Sequence, residues 1–144
     1  MAFVNPPEAT LKAILSRPLT IAVAICSDDP RRDSYRIAGR LKEFGFRVIP
    51  VNPFVAGTEI HGERCYARVT EIPEHVDMVD VFRRSEWVDP IADDAIASGA
   101  EILWMQLGVI NEAAARRAQA AGLTVVMDRC TSREYRRFFL SSPS

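Results

Sequence analysis

The stretch LTIAVAICSDDPRRDSYRIAGRLKEFG, Leu19 to Gly45, holds three patterns in succession. Leu19 to Ile25 is a short, continuous apolar run rich in β-branched residues, the composition of a strand buried on both faces. A polar turn follows. Then Ile37, Ala38, Leu41 and Phe44 recur at helical spacing, with Arg36, Arg40 and Glu43 on the other side. Asp33 or Ser34 is placed to cap that helix, and Gly45 to end it. Strand, turn and helix in direct sequence open a parallel βα arrangement.

The rest of the chain repeats the theme. Arg47 to Val51 reads as a second strand, closed by Asn52-Pro53, and Asp77 to Phe82, Ile102 to Met105 and Leu123 to Met127 read as three more. Between them, Val88, Ile91, Ala92, Ala95 and Ile96 form a helical stripe ending at Gly99, with Pro90 harmless in its first turn. Asn111 caps a helix from Glu112 to Ala121, and Gly122 stops it. The segment Phe54 to Pro73 is less regular, with turns at Gly57 and Gly62 and a short strand expected around Cys65-Tyr66. Helices at about Pro7 to Ser16 and at the C-terminus complete the pattern. Residues 1–144 are expected to form one α/β domain: a doubly wound, Rossmann-like fold with a mostly parallel sheet of about five strands and helices on both faces.

The bulk composition bounds the function. The chain has 144 residues, 48% hydrophobic and 26% charged, enough for one domain with its own core. A formal charge of −1 argues against a nucleic-acid or anionic-membrane surface. Cys26, Cys65 and Cys130 form no CxxC pair and have no matched histidines, so neither a disulfide framework nor a metal site is expected. No signal-peptide pattern or apolar run of ~20 residues appears, and a cytoplasmic location is expected. Lys12 and Lys42 are the only lysines; every other basic residue is arginine. Compositional bias accounts for such a count, so position has to decide what the arginines do.

In doubly wound sheets, ligands bind beyond the carboxyl ends of the strands. That rule selects four loops. The first, Ile25 to Tyr35, carries Ser27, Arg31, Arg32, Ser34 and the N–H groups of a helix start, all suited to an anion. It also reads as an ordinary capped turn, since it matches neither G-x-G-x-x-G nor a P-loop. The second, Val51-Asn52-Pro53-Phe54, lacks the carboxylate that NAD-binding domains place there, so a phosphorylated ribose among arginines fits better. The third, Phe82-Arg83-Arg84-Ser85, offers an aromatic ring and two arginines for adenine and phosphate, or simply a helix entry capped by Ser85. The fourth, Gln106 to Asn111, includes Gly108, which permits close backbone approach or an ordinary turn. Asp28 and Asp29 do not make a receiver site, because no lysine follows Lys42. His61 and His75 read as surface residues, Cys130, at a strand's carboxyl end, as a buried structural thiol or a residue near the ligand, and Trp87, Trp104, Phe138 and Phe139 as packing residues. No nucleophile, base and oxyanion site assemble, so no catalytic residue is assigned and the chain is not expected to be an enzyme.

Six blocks in order, SDDPRRDSYRIAGRL, FGFRVIPVNP, EIHGERCY, VDMVDVFRRSEWV, ILWMQLGV and AGLTVVMDRC, carry a family resemblance from about Leu19 to Phe138. The chain resembles the small stand-alone coenzyme A-binding proteins, which are similar to the CoA-binding domain of the succinyl-CoA synthetase α subunit and of NDP-forming acyl-CoA synthetases. The resemblance implies a site for CoA or acyl-CoA on the loops above. Ser27 and neighbouring N–H groups would meet the pyrophosphate, assisted by Arg31 or Arg32, with Tyr35 closing the loop. Val51, Asn52 and Pro53 would lie beside the adenosine, Val81, Phe82 and Arg83 would flank the nucleotide, and Gln106 to Gly108 would line the pantetheine path. The family pattern V-G-x-S has glycine where this chain has Ile25, a β-branched side chain expected to crowd the pyrophosphate. The implied role is a non-catalytic carrier, sensor or regulatory module, monomeric or homodimeric. The alternatives are a subunit or partner of an acyl-CoA-utilising enzyme, an NADP-binding enzyme, and a degenerate Rossmann domain used for protein–protein contact.

Overall fold

The structure, a computed structural model, describes residues 3–140. In chain order its elements are α1 (Glu8–Leu15), β1 (Thr20–Ala24), α2 (Asp33–Glu43), β2 (Arg47–Val51), β3 (Glu59–Ile60), β4 (Glu63–Arg64), β5 (Met78–Val81), α3 (Asp89–Ala97), β6 (Ile102–Met105), α4 (Glu112–Ala120), β7 (Thr124–Val126) and α5 (Thr131–Tyr135). A π-helical turn, Arg136–Leu140, continues α5. Five strands make a parallel sheet in the order β2-β1-β5-β6-β7, and β3 and β4 form a separate antiparallel hairpin. This is the doubly wound, Rossmann-like α/β fold expected.

Strand side chains alternate between two cores. Ala22, Ala24, Val79, Val81, Leu103 and Met105 pack on one face under Ala92 and Ala95 of α3 and Ala114, Ala115 and Ala118 of α4. These alanine stripes bring two helices close to the sheet. Ile21, Val23, Met78, Ile102 and Trp104 pack on the other face with Leu11 and Leu15 of α1 and Ala38 and Leu41 of α2. Each βα connection needs a sharp stop at the helix end, and Gly45 supplies one at φ 104°.

Several local expectations change. Arg32, not Asp33 or Ser34, occupies the N-cap of α2, and no side chain caps that helix. The strand expected at Cys65-Tyr66 is reduced to one parallel bridge between Tyr66 and Val51, because Gly57 and Gly62 fold the segment into the short hairpin instead. Asn111 does cap α4, accepting from the Ala114 N–H at 3.0 Å. His61 is not a surface residue: its ring lies 4.1 Å from that of Tyr35, and its Nε2 is 2.7 Å from the Tyr35 carbonyl oxygen. A Cβ on Gly39 would come within 2.8 Å of this ring, so the ring packs this close to α2 only with glycine at that position. Trp104 is fully buried, whereas Trp87 is 54% exposed and so is no core residue. Phe138 is half-buried and Phe139 lies at the surface. No helix is long and apolar enough to cross a membrane among the described residues.

Candidate functional site

The chain runs from β1 outward to β2, then returns to build β5, β6 and β7 on β1's other edge. The sheet therefore switches direction between β1 and β5, and the loops leaving those strands diverge to open a crevice. There the structure has a cleft of about 880 Å³, within the range of small-molecule sites. It brings together Ser27, Arg31, Arg32, Asn52, Phe82, Arg83 and Gln106, seven of the twelve residues selected from the sequence. Val51 and Pro53 line an adjoining, largely apolar cleft of about 310 Å³ beside Trp87 and Ile91. Tyr35 packs on His61 outside both. Val81 is buried in the sheet, its partners Ala24 and Met105. Gly108 (φ 83°) serves the rim, its N–H donating to Asp128 Oδ1 at 2.7 Å.

The main cleft is also lined by Arg84 of the third loop, by Cys130 and by Arg133, the last of which the sequence reading missed. The last two come from the loop after β7 and the start of α5. Cys130 is half-buried there rather than a buried structural thiol. Cys26 and Cys65 are the buried thiols; burial pushes Cys26 up to about 12, with Cys65 nearby adding to the effect.

The first loop is tied in an unexpected way. The Ser27 N–H donates to Ser34 Oγ at 2.9 Å, so this N–H is not available to a ligand. Ser27 Oγ accepts from the Asp29 N–H at 3.0 Å, which leaves the hydroxyl hydrogen to donate. Arg31 folds back onto Asp29 through two bonds of 3.1 and 3.0 Å, and its guanidinium holds the Asp29 carboxyl below the usual carboxylate range. Arg32, Arg84 and Arg133 make no ion pair among the described residues, and Arg83 lies over the Trp87 ring at 6.0 Å. Three guanidiniums without an ion-pair partner thus line the same cleft as the start of α2, which has no side-chain cap and whose Asp33 is paired with Arg36. Donors and helix dipole together attract a negatively charged group.

Asn52 is a brace as well as a wall: its Nδ2 donates to the Cys26 carbonyl at 2.9 Å and its Oδ1 accepts from the Phe54 N–H at 2.9 Å. Other ties cross the rim. Phe82 N–H donates to Ala24 O at 2.7 Å, and Ser85 Oγ accepts from the Ile110 N–H at 2.9 Å instead of capping a helix. Ile25, joined to Ala24 by a cis peptide, and Arg83 line both clefts and form the wall between them.

Beneath the cleft floor, β5 carries Asp80, which has no solvent exposure and was not marked by the sequence. Gln106 Nε2 donates to its Oδ1 at 2.6 Å and Thr131 Oγ1 to its Oδ2 at 2.9 Å. Burial pushes the Asp80 carboxyl up to about 7, against the two hydrogen bonds that pull it down. At the opposite end of the sheet, His75, Asp77 and Glu101 bring ligand-type atoms within 4.8 Å of one another. Arg17 sits on both oxygens of Glu101, and the Thr20 N–H donates to Asp77 Oδ2, so this group reads as an ion-pair cluster.

Fold and cleft define a doubly wound α/β domain with an arginine-lined crevice at the sheet's switch point. Residues 19–136 match the model of the CoA binding domain, and the chain belongs to that family. It is 37% identical over 126 residues to the uncharacterized protein YneT of Bacillus subtilis (strain 168), covering 88% of this chain and 92% of YneT. A hypothetical protein from Pyrococcus horikoshii OT3 superposes with a TM-score of 0.88 at 33% identity, over 96% of this chain and 99% of that one. The chain is also 42% identical over 72 residues to the α subunit of the ADP-forming acetate–CoA ligase II of Pyrococcus furiosus (strain ATCC 43587 / DSM 3638 / JCM 8422 / Vc1). That match covers 49% of this chain and 15% of the ligase subunit.

Proposed function

We propose that the protein binds CoA or an acyl-CoA in the main cleft, as a non-catalytic carrier, sensor or regulatory module. The observation that carries this reading is the placement of Arg32, Arg84 and Arg133, without carboxylate partners, around the uncapped start of α2 at the sheet's switch point. The pyrophosphate would sit on the first turn of α2 with the Ser27 hydroxyl, and the adenosine in the apolar cleft beside Val51, Pro53 and Trp87. Arg83, on the shared wall, would reach a phosphate on the ribose, and the pantetheine would cross Gln106. A non-catalytic role is supported by the positions of the histidines: His61 packs under α2 and His75 lies at the far end of the sheet.

Calorimetric titration of the ligand-free protein with CoA, dephospho-CoA, NAD and NADP tests this. CoA is expected to bind, with at least about a tenfold loss when the 3′-phosphate is removed. No CoA binding by the wild type or by Ile25→Gly would overturn the reading. Binding by Ile25→Gly alone would identify the Ile25 side chain as the block.

A second reading, partner of an acyl-CoA-utilising enzyme, has one observation in its favour. Trp87, Leu107 and Ile110 are each half or more exposed, and all three lie in the loops after β5 and β6. Co-purification of a synthetase-like enzyme, lost in a Leu107→Ser/Ile110→Ser variant, would support it.

A further inference from the structure

We propose that Asp80 is a positioning residue which, with Thr131, fixes the Gln106 side-chain amide so that only its carbonyl oxygen is offered to the cleft, making the floor selective for a ligand N–H donor of the secondary-amide class. This rests on the reading of the cleft as a CoA site, and it assigns a determinant of specificity within it.

A complete count of hydrogens carries the argument. Gln106 Nε2 has two, and both point inward: one to Asp80 Oδ1 at 2.6 Å, one to Thr131 Oγ1 at 2.8 Å. The Thr131 hydroxyl gives its own hydrogen to Asp80 Oδ2 at 2.9 Å. The main-chain groups of Gln106 are also engaged, N–H to the Val81 carbonyl at 3.2 Å and C=O from the Val109 N–H at 2.9 Å. Oε1 is thus the one polar atom of Gln106 left over, and Gln106 lines the cleft. The orientation follows from the chemistry of the partner. A carboxylate only accepts, so beside ionised Asp80 the amide must present its nitrogen, and the carbonyl must face the other way. Asp80 lies between Val23 and Trp104 on the sheet and has no guanidinium or ammonium group among its hydrogen-bond partners, so the amide and hydroxyl alone satisfy it.

The consequence is a choice between ligands. An acceptor on a desolvated floor favours an amide N–H and is left unpaired by an isosteric ester. Pantetheine carries two secondary amides, so the test uses CoA and two analogues, each with one amide N–H replaced by an ester oxygen. Titrations run at about pH 8, where Asp80 is the carboxylate. One analogue is expected to bind at least about fivefold more weakly than CoA. Asp80→Asn should reduce that penalty, because an amide at this position offers Gln106 a donor as well as an acceptor and no longer fixes which end it presents. Both analogues within fivefold of CoA, or a full penalty retained in Asp80→Asn, would overturn the proposal. If CoA itself does not bind, the reading of the cleft falls and the specificity falls with it.

A ligand-independent measurement keeps the two apart. In the free wild-type protein, both side-chain amide hydrogens of Gln106 should exchange with solvent far more slowly than those of Gln119, the chain's other glutamine, which is exposed. Equal exchange rates would overturn the positioning role whatever binds, and this arm does not depend on any variant folding.

Discussion

Arginines stand at both ends of the sheet, but they are held differently. At the amino ends, Arg47 is clamped by Glu74 at 2.8 and 2.9 Å and by Glu63 at 2.6 Å, and Arg17 by Glu101 at 3.2 Å. At the carboxyl ends, Arg32, Arg84 and Arg133 line the cleft with no ion pair to a carboxylate among the described residues. An arginine-rich composition supplies guanidiniums everywhere; pairing separates those that tie the surface together from those left for a ligand. The carboxylates divide in the same way. Glu74, exposed beside Arg47, is held below its ordinary range, whereas Asp80, buried with neutral partners, is pushed up to about 7.

The largest effect expected from this contrast is in stability against pH. The folded value of Asp80 lies above the unfolded 3.8, so the folded chain keeps a proton that the unfolded chain releases. That stability is fully present below about pH 3.8 and is lost as pH rises through about 7. The loss is at most on the order of 4 kcal/mol. Glu74 works in the opposite direction, its small contribution vanishing on acidification. Denaturant titrations between pH 5 and 8 should show stability falling in the wild type and a flatter profile in Asp80→Asn. A parallel slope in the variant would place the titration elsewhere.

Next in size is the cleft itself. Arg32→Ala or Arg84→Ala should each weaken CoA binding by about 1.5–3 kcal/mol, the range for a charge-assisted hydrogen bond, with little change in thermal midpoint. Affinities unchanged in both would remove the distinction between the two ends. Smallest is the clamp: Arg47→Ala should cost about 0.2–1 kcal/mol of stability, as exposed ion pairs do, and leave the CoA affinity within about twofold. A larger loss of affinity would show that the amino end acts on the cleft.

The fold was legible because its signals are local: apolar β-branched runs, helical stripes, and Gly45 and Gly122 at helix ends. Most of the cleft followed from applying the strand-end rule to the loops. The rest depends on contacts between distant residues. Ser34 looks like a cap in sequence and becomes the acceptor for the Ser27 N–H once β1 and α2 are folded together. Asp80 sits in an apolar run where a lone acid carries no sign of Gln106 and Thr131, 26 and 51 positions away. Arg133 was missed because the segment after Cys130 was read only as a C-terminal helix.

The ties across the rim, from Asn52 to Cys26, Ser85 to Ile110 and Asp128 to Gly108, have a kinetic consequence. They join the loops after β1 and β2 to each other and the loops after β5 and β7 to the loop after β6, so all five strand-end loops are tied and no lid is needed to complete the cleft. A phosphorylated ligand would meet a mouth already shaped and already cationic. Association would then be set by diffusion and electrostatic steering, slowing as salt screens the arginines, while residence time would be set by contacts inside the cleft.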